Sequence, residues 1–287
     1  MTTLDSPSAA TASAEVTAPD TDAVLAALGS AERPRPQGPL AASATFGRRT
    51  LLRIKYVPEQ LFDVTVFPVM LTLIFTYLFG GALAGSVDRY LQFFLPGILV
   101  QSILMITMYT GVALNTDIEK GVFDRIRSLP VWRPSALVGA LLGDVVRFTL
   151  ASAVVVGLGL ALGFRPQGGP GGVLAAVALL LVFAFALGWI WTYLALVVRT
   201  PNAVMGWSML VITPLTFGSN IFVDPATMPG WLQAVVEVNP VSHLVSAVRG
   251  LVHGEVAGSD VVLVLVWAAV LVAVLGPLTM RRYRTRN

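Results

Sequence analysis

The chain has no cysteine, and its only histidines are His243 and His253. The first absence excludes disulfides, thiol nucleophiles and cysteine-ligated metals. The two histidines stand ten residues apart with no carboxylate arrangement suited to a metal. Charge is scarce too: 12% of residues are Asp, Glu, Lys or Arg, against about 25% in a soluble domain. That leaves too little polar surface to cover a globule in water. Lysine occurs only at 55 and 120, and neither follows a glycine, so the Gly-Lys-Ser/Thr loop that cradles phosphates is missing. There is no Gly-x-Ser-x-Gly elbow. Gly157 and Gly159 match a dinucleotide fingerprint only loosely, inside an apolar run with no strand before it. No catalytic or metal-binding constellation is visible, and no cofactor is expected in this chain.

What is present is apolar. Hydrophobic residues make up 55% of the 287, and mean hydropathy is +0.77. They fall in runs of roughly 20, the length that crosses a hydrocarbon core about 30 Å thick at about 1.5 Å per residue. The pattern predicts an all-α polytopic membrane protein with six spans, over about 63–81, 93–114, 137–164, 172–198, 203–223 and 261–279. Pro68 and Pro96 lie inside the first two, and Pro214 and Gly218 interrupt the fifth. Residues 1–44, rich in Ala, Thr, Ser, Pro and Asp, are expected to be a disordered cytoplasmic tail. They lack the basic start and apolar core of a signal peptide. Residues 45–287 form the membrane domain. Its first segment, 45–60, sets Phe46, Leu51, Leu52, Ile54 and Val57 against Arg48, Arg49, Arg53 and Lys55. That pattern fits an amphipathic helix along the interface, or a plain basic flank to the first span.

Orientation follows from the basic residues. Arg33, Arg35, Arg48, Arg49, Arg53, Lys55, Lys120, Arg125, Arg127, Arg133, Arg199, Arg281, Arg282, Arg284 and Arg286 fall on one side of a six-span chain. Arg89, Arg165 and Arg249 fall on the other. Positive charge marks the cytoplasmic side, so both termini are expected inside a plasma (inner) membrane. The net charge of +3 is thereby explained by topology, and no nucleic acid is expected as partner.

Four segments stand out. Residues 115–130 mix Asp117, Glu119 and Asp124 with Lys120, Arg125 and Arg127, while Val122, Phe123, Ile126 and Leu129 recur at helical spacing. Such a helix docks its apolar anchors into a partner's groove, or lies on lipid. Its acids favour a protein, because anionic lipid repels them. Asp144 and Arg147 share one helix face in the third span. They form either an internal pair near the cytoplasmic surface or a gating element. Asp63, at the entry of the first span, is expected to reach water. Gly139 and Gly143 form a small-xxx-small step, a weak pointer to close helix packing between two copies. Residues 224–258 hold two short amphipathic pieces, one with Trp231 and one opened by Asn239 and Pro240 and carrying His243 and Arg249. Neither piece is long enough to span. A re-entrant hairpin on the outer side fits, with a surface hairpin as the alternative.

Three motifs resemble one family. Residues 94–101 read Phe-Leu-Pro-Gly-Ile-Leu-Val-Gln, residues 120–130 Lys-Gly-Val-Phe-Asp-Arg-Ile-Arg-Ser-Leu-Pro, and residues 239–250 Asn-Pro-Val-Ser-His-Leu-Val-Ser-Ala-Val-Arg-Gly. In this order they resemble the type-2 ABC exporter permeases, in their daunorubicin-resistance branch. The resemblance covers about 45–287. It implies a half-transporter: two permease copies form the pathway, and two copies of a separate ATPase bind the ATP and Mg. It also implies that Glu119, Lys120, Gly121, Phe123, Asp124, Arg125 and Arg127 form the coupling helix, and that the hairpin with Trp231, Asn239, Pro240, His243 and Arg249 closes the exit. The pathway wall is then expected from the first, second and fifth spans, with Phe67, Met70, Phe75, Met105, Met108 and Phe217 as candidates. Methionine adapts to varied apolar shapes, so the expected cargo is a hydrophobic or amphipathic compound, either a drug-like natural product or a lipid. The alternatives are an ion-coupled secondary transporter, which wants acids in mid-span and internal repeats, and a membrane enzyme or scaffold.

Overall fold

A computed structural model describes residue 45 and residues 58–121, 135–255 and 258–285. Among these residues all regular structure is helical. In lipid this is forced, because a helix satisfies its backbone polar groups within itself where no water can.

Helix α1, Pro58–Ile74, runs through Pro68 without breaking and passes into a π-helical turn, Phe75–Phe79, and then α2, Gly80–Ala84. The hydroxyl of Thr72 donates to Pro68 O at 2.7 Å, inside the apolar stretch. Gly85 ends α2 at φ 75°, and Ser86 caps α3 by accepting from the Arg89 N–H at 3.3 Å. Helix α3, Val87–Glu119, has 33 residues, a length of about 50 Å. It is the hub of the bundle: 83% of its most apolar window is buried, against 22% in the first span and 17% in the last. Helices α4, Ser135–Ala161, α5, Gly169–Val197, and α6, Pro201–Phe217, pack around it. After a 3-10 turn at Pro225–Thr227 come α7, Gly230–Val238, and α8, Pro240–His253. Helix α9, Gly258–Thr285, closes the order and packs on α5 and α8.

Five helices are long and apolar enough to cross a membrane: 66–84, α3, residues 138–161 of α4, α5 and α9. The expected fifth span, 203–223, is a shorter helix. Pro214 sits within α6 without interrupting it, and Gly218 caps it, its N–H bonding Pro214 O at 2.8 Å. Seventeen residues remain, about 25 Å. The amphipathic segment expected at 45–60 and the tail at 1–44 lie outside the described residues, apart from helical Thr45 and the start of α1.

Two close approaches fix the bundle. A Cβ on Gly111 of α3 would sit 2.7 Å from Trp191 O of α5. The glycine therefore lets the two backbones touch, while Trp191 Nε1 donates to Thr107 Oγ1 at 2.8 Å. At the other end of α5, a Cβ on Gly172 would sit 2.3 Å from Leu251 O of α8, and the Gly168 N–H bonds Val252 O at 2.8 Å. Gly139 and Gly143 are both buried within the chain, so their packing is spent internally and offers no surface to a second copy.

Candidate translocation and coupling site

Three of the six candidate wall residues meet. Phe67 of α1 and Met105 and Met108 of α3 line a cavity of about 170 Å³, together with Pro68, Tyr109 and Met209 of α6. The other three do not join them. Met70 is 46% exposed on α1. Phe75 belongs to an aromatic cluster, with its ring centroid 5.3 Å from those of Phe94 and Phe222. Phe217, 65% exposed, stacks on Phe222 at 5.2 Å. Phe222 therefore links the π-turn to the end of α6, a bridge that the sequence pattern did not reveal. Exposed Phe67, Met70, Tyr77 and Leu78 on one side, and Trp207, Leu210 and Phe217 on the other, leave α1 with its π-turn, and α6, with apolar surfaces that no part of the described chain covers.

Asp144 and Arg147, one turn apart on α4, form an ion pair with side chains 4% and 5% exposed. Thr110 of α3 donates its hydroxyl to the second carboxylate oxygen. Thr107, one turn earlier, takes the Trp191 bond, so two hydroxyls pin α3 to α4 and α5 at one level. Arg147 Nε is buried without a hydrogen-bond partner among the described residues. A lone charge at such depth is costly, and pairing is the usual remedy. Nothing is described of the side chain of Asp63.

The end of α3 carries the first part of the expected coupling element. Glu119 and Lys120 are exposed, and Gly121 takes φ 66°, its N–H bonding Ile118 O at 3.0 Å. Just before it, Asn115 Nδ2 donates to Ala195 O at 2.8 Å and Val198 O at 2.9 Å. This fixes the exit of α3 against the end of α5. Phe123, Asp124, Arg125 and Arg127 lie outside the described residues.

The hairpin residues divide by role. Trp231 is 72% exposed on α7. Pro240 occupies the first turn of α8, where its missing N–H goes unneeded. Asn239 caps that helix by accepting from the Val241 N–H at 2.9 Å, and its amide donates to Leu215 O and Gly218 O, both at 2.7 Å. One side chain thus starts α8 and closes α6. His243 bonds Asp260 through Nδ1 and Glu237 O through Nε2, each at 2.9 Å. Arg249 lies 4.0 Å over the Phe93 ring and donates to Phe93 O and Asn220 O at 3.2 Å. Burial lowers its pKa to about 10, and the nearby Asp224 opposes that shift. Sequence reasoning passed over Asn115, Thr110, Tyr90, Gln92 and Asn220. Tyr90 donates to Phe222 O at 3.1 Å, and Gln92 both donates to Gly163 O and accepts from the Arg165 N–H. The available signal was a polar side chain inside an apolar run, which needs a partner there.

A family model described as "ABC-2 type transporter" matches residues 43–252. The chain belongs to the ABC-2 type transporter family. This ABC-2 chain is 50% identical over 273 residues to the "Daunorubicin resistance ABC transporter permease protein DrrB1" of Streptomyces coeruleorubidus, covering 95% of this chain and 96% of that protein. It is 26% identical over 205 residues to the "Probable doxorubicin resistance ABC transporter permease protein DrrC" of Mycobacterium tuberculosis, covering 71% and 74%. A "Putative transport permease ycf38" of Cyanophora paradoxa is 26% identical over 212 residues, covering 71% of each. As an ABC-2 permease the chain is a multi-pass membrane transport component, and the family implies a separate ATP-binding subunit.

Proposed function

We propose that this permease works as half of an exporter, moving a hydrophobic or amphipathic compound across the plasma membrane on energy from ATP hydrolysed by a partner. The observation that carries the reading is the family match across 43–252 in a chain with no phosphate-binding loop. The relatives named for daunorubicin and doxorubicin resistance favour a drug-like natural product over a lipid. The cavity walled by Phe67, Met105, Met108 and Met209 is apolar, and its thioethers adapt to irregular shapes; at about 170 Å³ it must widen to admit a drug-sized compound. Family membership counts against the ion-coupled alternative.

In this reading α6 is the fifth of six crossings, and both termini lie in the cytoplasm with most of the arginines. Two permease copies meet through apolar surface left on α1 and α6. The hairpin of α7 and α8 re-enters the membrane. Support comes from α8, which touches Gly168 at its C-terminal end, while Pro240 at its start shares a cavity with Phe183 and Leu187. Phe183 is 15 residues along from Gly168, about 22 Å. The segment from Glu119 to Arg127 fits a groove on the ATPase, and Gly121 supplies the turn that leads into it. ATP closure of the partner dimer moves that segment as a lever, and packed helices convert the shift into a change between two arrangements.

The test is substrate-stimulated ATP hydrolysis by the complex of this chain with its ATP-binding partner subunit. The pair Arg125→Glu with Glu119→Arg should abolish stimulation while leaving the permease folded in the membrane. Undiminished stimulation would remove the coupling role from this segment.

A further inference from the structure

We propose that the chain holds the acyl chain of a bilayer lipid in a second cavity, walled by α3, α5, α6, α8 and α9 and separate from the one at Phe67. This cavity measures about 180 Å³ and is lined by Leu104, Phe183, Trp191, Ile212, Val241 and Trp267, among others. Its polar groups are already engaged. The Thr216 hydroxyl donates to Ile212 O at 2.9 Å, and Trp191 Nε1 donates to Thr107. With no hydrogen-bond partner on offer, water gains nothing there. Apolar cavities of about 150 Å³ stay dry and take up apolar guests. Left empty, the walls lose the dispersion contacts that packing would give.

Geometry selects the guest. Helix α6 packs on α3 and α5, while α9 packs on α5 and α8, so the cavity's outer side lies between α6 and α9, where Trp267 is exposed. Trp267 at the mouth is 37% exposed, and Trp191 at the floor is 0% exposed. A helix from a second protein copy, about 10 Å across with its side chains, does not enter a space this narrow. A hydrocarbon chain does. Phe183 and Leu187 lie near the middle of the 29-residue α5, the depth at which acyl chains surround every spanning helix. The guest fills the space between the short α6 and the hub, bracing α6 where α9 leaves it unsupported. The inference rests on insertion of the chain in a bilayer, and not on the cargo or the ATPase, so its failure would leave the exporter reading intact.

The experiment uses the full chain in nanodiscs, with five of its six tryptophans changed to Phe so that Trp191 alone remains. Its blue-shifted emission reports the folded state. Phosphatidylcholine with acyl chains brominated near the middle quenches tryptophan on contact. Emission from Trp191 should fall at least twofold when plain lipid is replaced by brominated lipid. Ile212→Phe or Leu104→Phe, each filling the cavity, should remove most of that fall. A chain retaining only Trp267 serves as control. If Trp267 is quenched and Trp191 is not, no acyl chain enters. If neither is quenched, protein covers the mouth. Quenching of Trp191 that both filling variants leave unchanged comes from elsewhere. Each of these three results overturns the proposal.

Discussion

The Arg249 guanidinium lies over Phe93, 4.0 Å from the ring centroid, and reaches the carbonyls of Phe93 and Asn220. One side chain of α8 thereby joins the start of α3 to the segment that follows α6. Lysine keeps the charge but lacks the planar fork that stacks and bonds at once. Arg249→Lys is therefore expected to lose about 1–2 kcal/mol and Arg249→Gln somewhat more, read as loss of thermal stability in detergent. The pH dependence has a definite sign. Burial holds the folded pKa at about 10, below the ordinary arginine value. This shift therefore adds stability only as pH rises past about 10, and melting between pH 6 and 9 should not reflect it.

Asp144 and Arg147 offer a sharper contrast. Breaking a buried pair leaves one uncompensated charge and costs about 3–5 kcal/mol, whereas replacing both partners with apolar residues is often neutral. Asp144→Leu alone should lower the melting temperature strongly, and Asp144→Leu with Arg147→Met should restore most of it. If transport also falls in the restored double variant, the pair acts in the movement of α4 against α3 as well as in holding them together. Equal melting of single and double variants would deny the coupling of the two charges.

Asn239 separates capping from tethering. Asn239→Asp keeps the oxygen that caps α8 and removes the amide that binds Leu215 O and Gly218 O. Hydrogen exchange should then speed up around 215–218 while the first turn of α8 stays protected. Asn239→Ala removes both functions, and exchange should rise in both places, with about 1 kcal/mol for the lost cap alone.

Gly111→Ala places a methyl group against Trp191 O. Overpacking of this kind typically costs about 1–3 kcal/mol. Because the Thr107 hydroxyl receives the Trp191 N–H one turn away, the shift should also change Trp191 emission, even at temperatures where the chain remains folded.

The helical class, the order of the elements and the two short helices near 230–253 were legible because apolar length and a proline at a first turn are local signals. The pairing of Asp144 with Arg147 was legible for the same reason, since one helical turn fixes it. Interlocks between distant segments were not. Nothing near Phe222 announces that it gathers Phe75, Phe94 and Phe217, and nothing near Asn115 names Ala195 and Val198 as its acceptors. Long-range packing decided which wall candidates share a space, separating Phe67, Met105 and Met108 from Met70, Phe75 and Phe217. The end of α6 was misplaced by several residues because the apolar run continues through Ile221 and Phe222, while Asn239, from a later helix, takes the carbonyls at which α6 stops.

That early stop has a consequence for the surrounding bilayer. Taken as a crossing, α6 is about 25 Å long in hydrocarbon about 30 Å thick, a mismatch that lipids relieve by thinning or the helix by drawing polar flanks inward. On that reading the bilayer adjusts to meet α6, and lipids with longer tails would deepen the mismatch there.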